Sequence, residues 1–162
     1  MKKKLIFLTL FLLVLIALNS CERDDICIDE ITPKLVITFY DKDDPATVKA
    51  VSNLSAKIFI GTEADSIPLF VTDTIVSVPL KVTEDNTQYI LTIDSNNGAL
   101  LKRDTLTVSY IRENVFVGRS CGFKTIFKNT TYQLDSNNWA ENTETISQTI
   151  DNETDAHVKI FH

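Results

Sequence analysis

TLTVSYI, residues 105–111, alternates without a break: Leu106, Val108 and Tyr110 fall on one side of an extended chain, Thr105, Thr107 and Ser109 on the other. Successive side chains of a strand point to opposite faces, so such a run reads as a strand with one face buried and one wet. The same period of two recurs on both sides of it. KLVITFYD sets Leu35, Ile37 and Phe39 opposite Val36, Thr38 and Tyr40, and LSAKIFIG sets Leu54, Ala56, Ile58 and Ile60 against Ser55 and Lys57. QYILTID gathers Tyr89, Leu91 and Ile93, and IVSVPLKV gathers Val76, Val78, Leu80 and Val82. Pro79 inside the last run marks an edge strand or a bulge, because proline cannot donate to a ladder.

Asp/Asn-rich breakers separate these runs: DKDDP, TEDNT, DSNNG, LDSNN and DNETD. Their side chains bond local backbone and favour turns. No apolar stripe of helical spacing runs over a dozen residues after the N-terminal leader. The second half of Trp139–Ile150 reads as a strand, and HVKIF, His157 to Phe161, as a final one. Roughly seven to nine short strands in this length imply an all-β fold, a single antiparallel β-sandwich, loosely immunoglobulin-like, with a small β-barrel as the alternative. One core suffices for a chain of this size. The domain is expected to span residues 34–162.

The N-terminus has a different character. Lys2, Lys3 and Lys4 precede an apolar run from Leu5 to Leu18 broken only by Thr9. That run is shorter than the ~18–20 residues a spanning helix needs and has the layout of an export signal. Leu18 and Ser20 before Cys21 resemble a bacterial lipobox, in which the cysteine sulfur receives a diacylglycerol and the freed amine is acylated. Residues 1–20 are therefore expected to be a lipoprotein signal peptide. Cys21 is the expected lipidation site (palmitate-type acyl chains), and 21–33 the anchor and tether. Two or three chains on one residue give a lasting anchor where a single chain binds only marginally.

Glu22-Arg23-Asp24-Asp25 directly after the cysteine resembles the surface-export signal of Bacteroidota lipoproteins. The expected address is the cell outer membrane, facing outward in preference to the periplasm. The leader holds three of the 16 Lys and Arg and none of the 22 Asp and Glu, so removing it takes the net charge from −6 to about −9. A chain so acidic repels nucleic acid and anionic lipid surfaces, and neither is an expected partner on that ground. The lipid bilayer, through the acylated cysteine, is one expected partner and an outer-membrane protein another.

With Cys21 acylated, Cys27 and Cys121 remain. In an oxidising compartment an even pair is most simply a disulfide, with two buried thiols as the alternative. A two-cysteine metal site is disfavoured, since neither has a Cys or His at ligand spacing.

Chemistry is harder to find. His157 and His162, five apart on an extended chain, point to opposite faces and cannot readily share a metal. Asp41, Asp43 and Asp44 lack the glycine and terminal glutamate of a calcium loop. Ser120 has no neighbouring base. No catalytic residue, metal or cofactor is expected, and the chain reads as a non-enzyme. Tyr40, Tyr89, Tyr110 and Tyr132 read as core ahead of a sugar-binding surface. Asp65-Ser66-Ile67, Asp73-Thr74-Ile75 and Asp104-Thr105-Leu106 match the Bacteroidota O-glycosylation motif, making Ser66, Thr74 and Thr105 candidate acceptors.

CERDDIC, KLVITFYDKDDP, VGRSCGFKTIF and AHVKIFH, in that order, are similar to an uncharacterised lipoprotein family of Bacteroidota, especially flavobacteria, known as a domain of unknown function. The resemblance implies a single-domain envelope protein and supports the address, the Cys27–Cys121 pairing and the fold, without a mechanism. The expected role is a binding or accessory module for an envelope protein complex. Glycan or surface-ligand binding and an enzyme of unrecognised type are the alternatives.

Overall fold

The structure is a computed structural model that describes residues 26–27, 32–60, 63–94 and 97–162, with the backbone alone for residue 60 and residues 63–71. The expected signal peptide (1–20), the expected lipidation site Cys21 and most of the expected tether (21–33) lie outside the described residues.

Nine strands follow in order: β1 (Leu35–Tyr40), β2 (Val51–Ile60), β3 (Glu63–Asp73), β4 (Ile75–Val78), β5 (Asn86–Ile93), β6 (Lys102–Gly118), β7 (Gly122–Leu134), β8 (Asn142–Thr145) and β9 (Val158–Phe161). They form a five-stranded sheet, β3-β2-β5-β6-β7, and a four-stranded sheet, β4-β1-β9-β8. The fold is all-β, two sheets sharing one core. The alternation in the sequence explains which residues enter it. Leu35, Ile37 and Phe39 of β1, Leu54 and Ala56 of β2, Tyr89 and Leu91 of β5, and Leu106, Val108 and Tyr110 of β6 are all buried in one cluster. Each large apolar side chain so buried contributes about 1.5–3 kcal/mol.

Three expectations are corrected. The five-stranded sheet is antiparallel throughout, but the smaller sheet is mixed: β1 pairs β9 in parallel, Ile37 opposite Val158 and Tyr40 opposite Phe161. A parallel pair needs a long connection, and here nearly the whole domain lies between the two strands. Val82 does not continue the inward row of Val76, Val78 and Leu80. It is 46% exposed, because β4, an edge strand, ends at Val78 just before Pro79. In the Trp139–Ile150 segment the strand is Asn142–Thr145, and Ile146 is exposed beyond its end. Ile150 is buried instead through an isolated bridge to Phe127.

The strands are not uniformly short. β6 has 17 residues and β7 has 13. At about 3.3 Å per residue β6 extends roughly 55 Å, far beyond the strands of the smaller sheet, none longer than six residues. Arg119-Ser120-Cys121 closes the hairpin between the paired Gly118 and Gly122. Gly122 has φ +70°, a left-handed conformation that a side chain disfavours and that a three-residue hairpin loop commonly requires. A register shift in β7, with Asn129 at φ +52°, bends the hairpin where it leaves the core.

Candidate functional site

β6 links the two ends of the molecule, and each end carries a distinct set of residues. At the hairpin end, Cys27 and Cys121 are joined by a disulfide with a Cα–Cα distance of 4.9 Å across 94 residues of sequence. Ile26 beside it is 83% exposed. Phe116 and Phe123 pair directly across the strands with ring centroids 5.4 Å apart, edge to face, and are 58% and 63% exposed. Their exposure has a simple cause. Counting in twos from Leu106, Val108 and Tyr110 leads to Arg112, Asn114 and Phe116, so the phenylalanine pair continues the core-facing side of the sheet past the point where the second sheet ends. The start of β1 lies toward this end, since Lys34 meets Glu153 (3.2 Å) and Lys124 donates to the Asp151 carbonyl (3.0 Å).

A cleft of about 420 Å³ sits at the base of the hairpin, lined by Val82, Asp85, Tyr110, Ile111, Arg112 and Asn114 among others. Its charged groups are engaged with one another. Arg112 pairs with Asp85 (2.8 Å) and donates to the Val82 carbonyl (2.7 Å). Behind it, Thr87 and Tyr110 share a hydroxyl hydrogen bond of 2.6 Å, and Tyr110 donates to the Lys81 carbonyl (2.8 Å). These bonds bind the loop before β5 to the hairpin.

At the opposite end, where β6 begins, a second cleft of about 260 Å³ is lined by residues including Lys42, Lys102, Asn137, Asn138, Trp139 and His162. An adjoining one of about 380 Å³ shares Lys42 and Glu141 with it, and the ion pair between these two (2.5 Å) forms the ridge between them. Glu141 holds the Lys42 ammonium above its ordinary pKa. Trp139 itself is mostly buried, 7% exposed, against Phe39 (6.2 Å between centroids) and His162 (5.8 Å). The cleft floor depends on Asp104. This buried carboxylate accepts backbone N–H bonds from Asn138 (2.7 Å), Trp139 (2.7 Å) and Ala140 (2.8 Å). Burial pushes its pKa up, but the three N–H donors outweigh burial and the net shift is downward.

The remaining residues singled out by sequence are placed as follows. Ser66 lies in β3, where only the backbone is described. Thr74 sits half-buried at the β3–β4 corner with its N–H on Asp73 Oδ1 (2.6 Å). Thr105 is half-buried in β6 and its N–H reaches Ser136 Oγ (3.1 Å). Asp41 and Asp44 bond their own loop, Asp41 to the Asp43 N–H (2.8 Å) and Asp44 to the Thr47 hydroxyl (2.7 Å). Among the described residues no group of three His, Cys, Asp or Glu could hold a metal ion. Tyr89 and Tyr110 are buried, and Tyr132 sends its hydroxyl to the Ser147 carbonyl (3.0 Å).

His157 and His162 take up separate structural places. His157 is buried, and its Nδ1 accepts the Val36 N–H at 3.0 Å, which requires a neutral ring. Burial lowers its pKa against the upward pull of Asp151, Asp155 and Glu153. Burial likewise lowers His162, whose ring Nε2 meets the Lys49 carbonyl at 3.1 Å. In the unfolded chain a histidine titrates near ~6.5, so the unfolded state takes up the proton first as the pH falls. The stability these rings contribute is thus complete above about 6.5 and declines as pH falls from there to their depressed folded values. Denaturant midpoints are expected to drop between about pH 7.5 and 5.5 on this account. The drop shrinks in His157→Asn, whose Oδ1 stands in for Nδ1 without titrating. Equal pH dependence in the two proteins would show that His157 is not the group responsible.

An all-β protein of two sheets, with a long hairpin clamped to the N-terminal segment by a disulfide, is the class these features define. The chain belongs to a family of unknown function, DUF6452, whose model matches residues 54–162. The match includes VGRSCGFKTIF and AHVKIFH but begins after β1 and Cys27. No curated protein and no solved structure matches the chain.

Proposed function

We propose that this protein is a lipid-anchored outer-membrane lipoprotein that serves as a binding or accessory module for an envelope protein complex. The observation that carries this reading is the polarity of the molecule. The disulfide ties the N-terminal segment, six residues after Cys21, to one end, while the polar cleft around Lys42, Lys102 and Asn138 lies at the other. Acyl chains on Cys21 then hold the hairpin end toward the membrane and present the cleft away from it. A disulfide also suits an exported, oxidising compartment. The partner is best read as a protein rather than a glycan. Sugar binding favours an open aromatic face, and Trp139 offers almost none, whereas Lys42, Lys102 and Asn137 suit polar contacts at a protein interface.

Two experiments test this. Growth with an alkyne palmitate analogue is expected to label the wild-type protein, and Cys21→Ala is expected to lose both the label and membrane association. A photo-cross-linking residue at Asn137 is expected to capture one discrete envelope protein in living cells. The same residue at exposed Lys57, on the outer side of β2, is expected to capture none. Loss of the discrete adduct at Asn137 would remove the proposed binding end.

A further inference from the structure

We propose that the tip of the β6–β7 hairpin is a membrane-docking foot, on which Phe116, Phe123 and Ile26 enter the headgroup region of the bilayer that holds acylated Cys21. The inference rests on the reading of Cys21 as the anchor and adds a second, non-covalent contact. Six residues separate Cys21 from Cys27, and a chain spans at most ~3.3–3.6 Å per residue. The disulfide therefore keeps the tip within roughly 20 Å of the point where the acyl chains begin. The tip is the part of the described domain bonded closest to the anchor, and it carries an exposed aromatic pair with an exposed isoleucine nearby.

A bilayer fits this patch better than a second copy does. At their fractional exposures two phenylalanines and an isoleucine offer about 400 Å², short of the ~800 Å² per partner that a specific interface buries. Aromatic rings at the headgroup level need no shape match. Charge favours the same orientation. The hairpin from Ile111 to Lys128 carries Arg112, Arg119, Lys124 and Lys128 against Glu113 alone, about +3. The segment Glu22–Glu30 carries five acids against Arg23, about −4. The anchored end is thus close to neutral, and about −8 of the mature chain's −9 lies on the rest of the domain, which an anionic surface repels. The whole-chain charge, read without this distribution, argues against contact with an anionic lipid surface. The distribution removes most of that repulsion at the one end the anchor holds.

The test uses the full-length acylated protein in phosphatidylcholine vesicles containing lipid brominated on its acyl chains. Phe116→Trp and Phe123→Trp report from the tip, and Leu100→Trp, exposed in the β5–β6 loop, reports from the other end. Trp139 is a constant background. Bromolipid is expected to quench the tip variants roughly two-fold more than Leu100→Trp, as for aromatics lodged at a membrane interface. Equal quenching in all three, with palmitate label present and the protein floating with vesicles, overturns the foot and leaves the anchor standing. A blue-shifted tip emission that bromolipid does not touch places the rings against protein and also overturns the foot. Absence of label and flotation overturns anchor and foot together.

Discussion

Cys27→Ser/Cys121→Ser is expected to lose about 3 kcal/mol or more of unfolding free energy relative to the oxidised wild type. Closing a loop of 94 residues removes up to about 4–5 kcal/mol of unfolded-state entropy on the chain-entropy model, with 2–4 kcal/mol the usual range. The native structure gives a second reason to expect a large effect. Beyond Ile126 and Phe127, its last buried residues, the hairpin has no second sheet to pack against, and two strands alone are marginal in water. The disulfide and the Phe116–Phe123 contact stand where a core would otherwise hold the strands together. Hydrogen exchange should therefore accelerate first in Val115–Lys124, while Trp139, at the far end, keeps its native fluorescence. Matching denaturant midpoints for the variant and the oxidised protein would show that the bond holds neither the fold nor the hairpin.

The fold was largely readable from period-two alternation, because a strand with one covered face must sort its residues in that way. Leu106, Val108 and Tyr110 entered the core as their spacing implied, and Pro79 fell at the end of an edge strand. Alternation does not say where cover ends. In VFVG and GFKTIF the pattern of an inward face persists into Phe116 and Phe123, but whether another sheet lies over them is decided by the short strands of a different part of the chain. The length of the hairpin was hidden for the same reason. The parallel pairing of β1 with β9 was also invisible, because a local pattern carries no information about which distant edge a strand will join.

The candidate site was legible only in part. Cys27 and Cys121 stood out because cysteines are few, and their position at a hairpin tip required the structure. His157 gave no clue to its bond with the Val36 amide, 121 residues away. Asp104 did leave a signal. It occupies the inward position two before Leu106, where an acid on a core-facing row needs buried donors to face it. Read as the first residue of an Asp-Thr-Leu triplet, it drew attention to Thr105 and away from its own carboxylate.

Asp104→Ala is expected to destabilise the domain by about 3 kcal/mol or more, since it leaves two buried N–H groups, of Trp139 and Ala140, and the part-buried one of Asn138 without an acceptor. Asp104→Asn should be nearly as costly, which distinguishes this site from one that merely needs a polar atom. Trp139 and Ala140 both donate to Oδ2 and Asn138 donates to Oδ1, so an amide in either flip sets an NH₂ against at least one N–H. The sign with pH follows from the lowered pKa. An aspartate titrates near ~3.9 when unfolded, so its contribution is complete above that value and is lost as pH falls through the lower folded one. Wild type and Asp104→Ala should therefore differ most at neutral pH and converge in acid. Because the same three amides place Asn138 and Trp139 at the cleft, the variant should also lose the cross-link at Asn137 while keeping its palmitate label. If Asp104→Asn matched the wild type in stability, the carboxylate would not be what holds this corner, and the cleft would need another support.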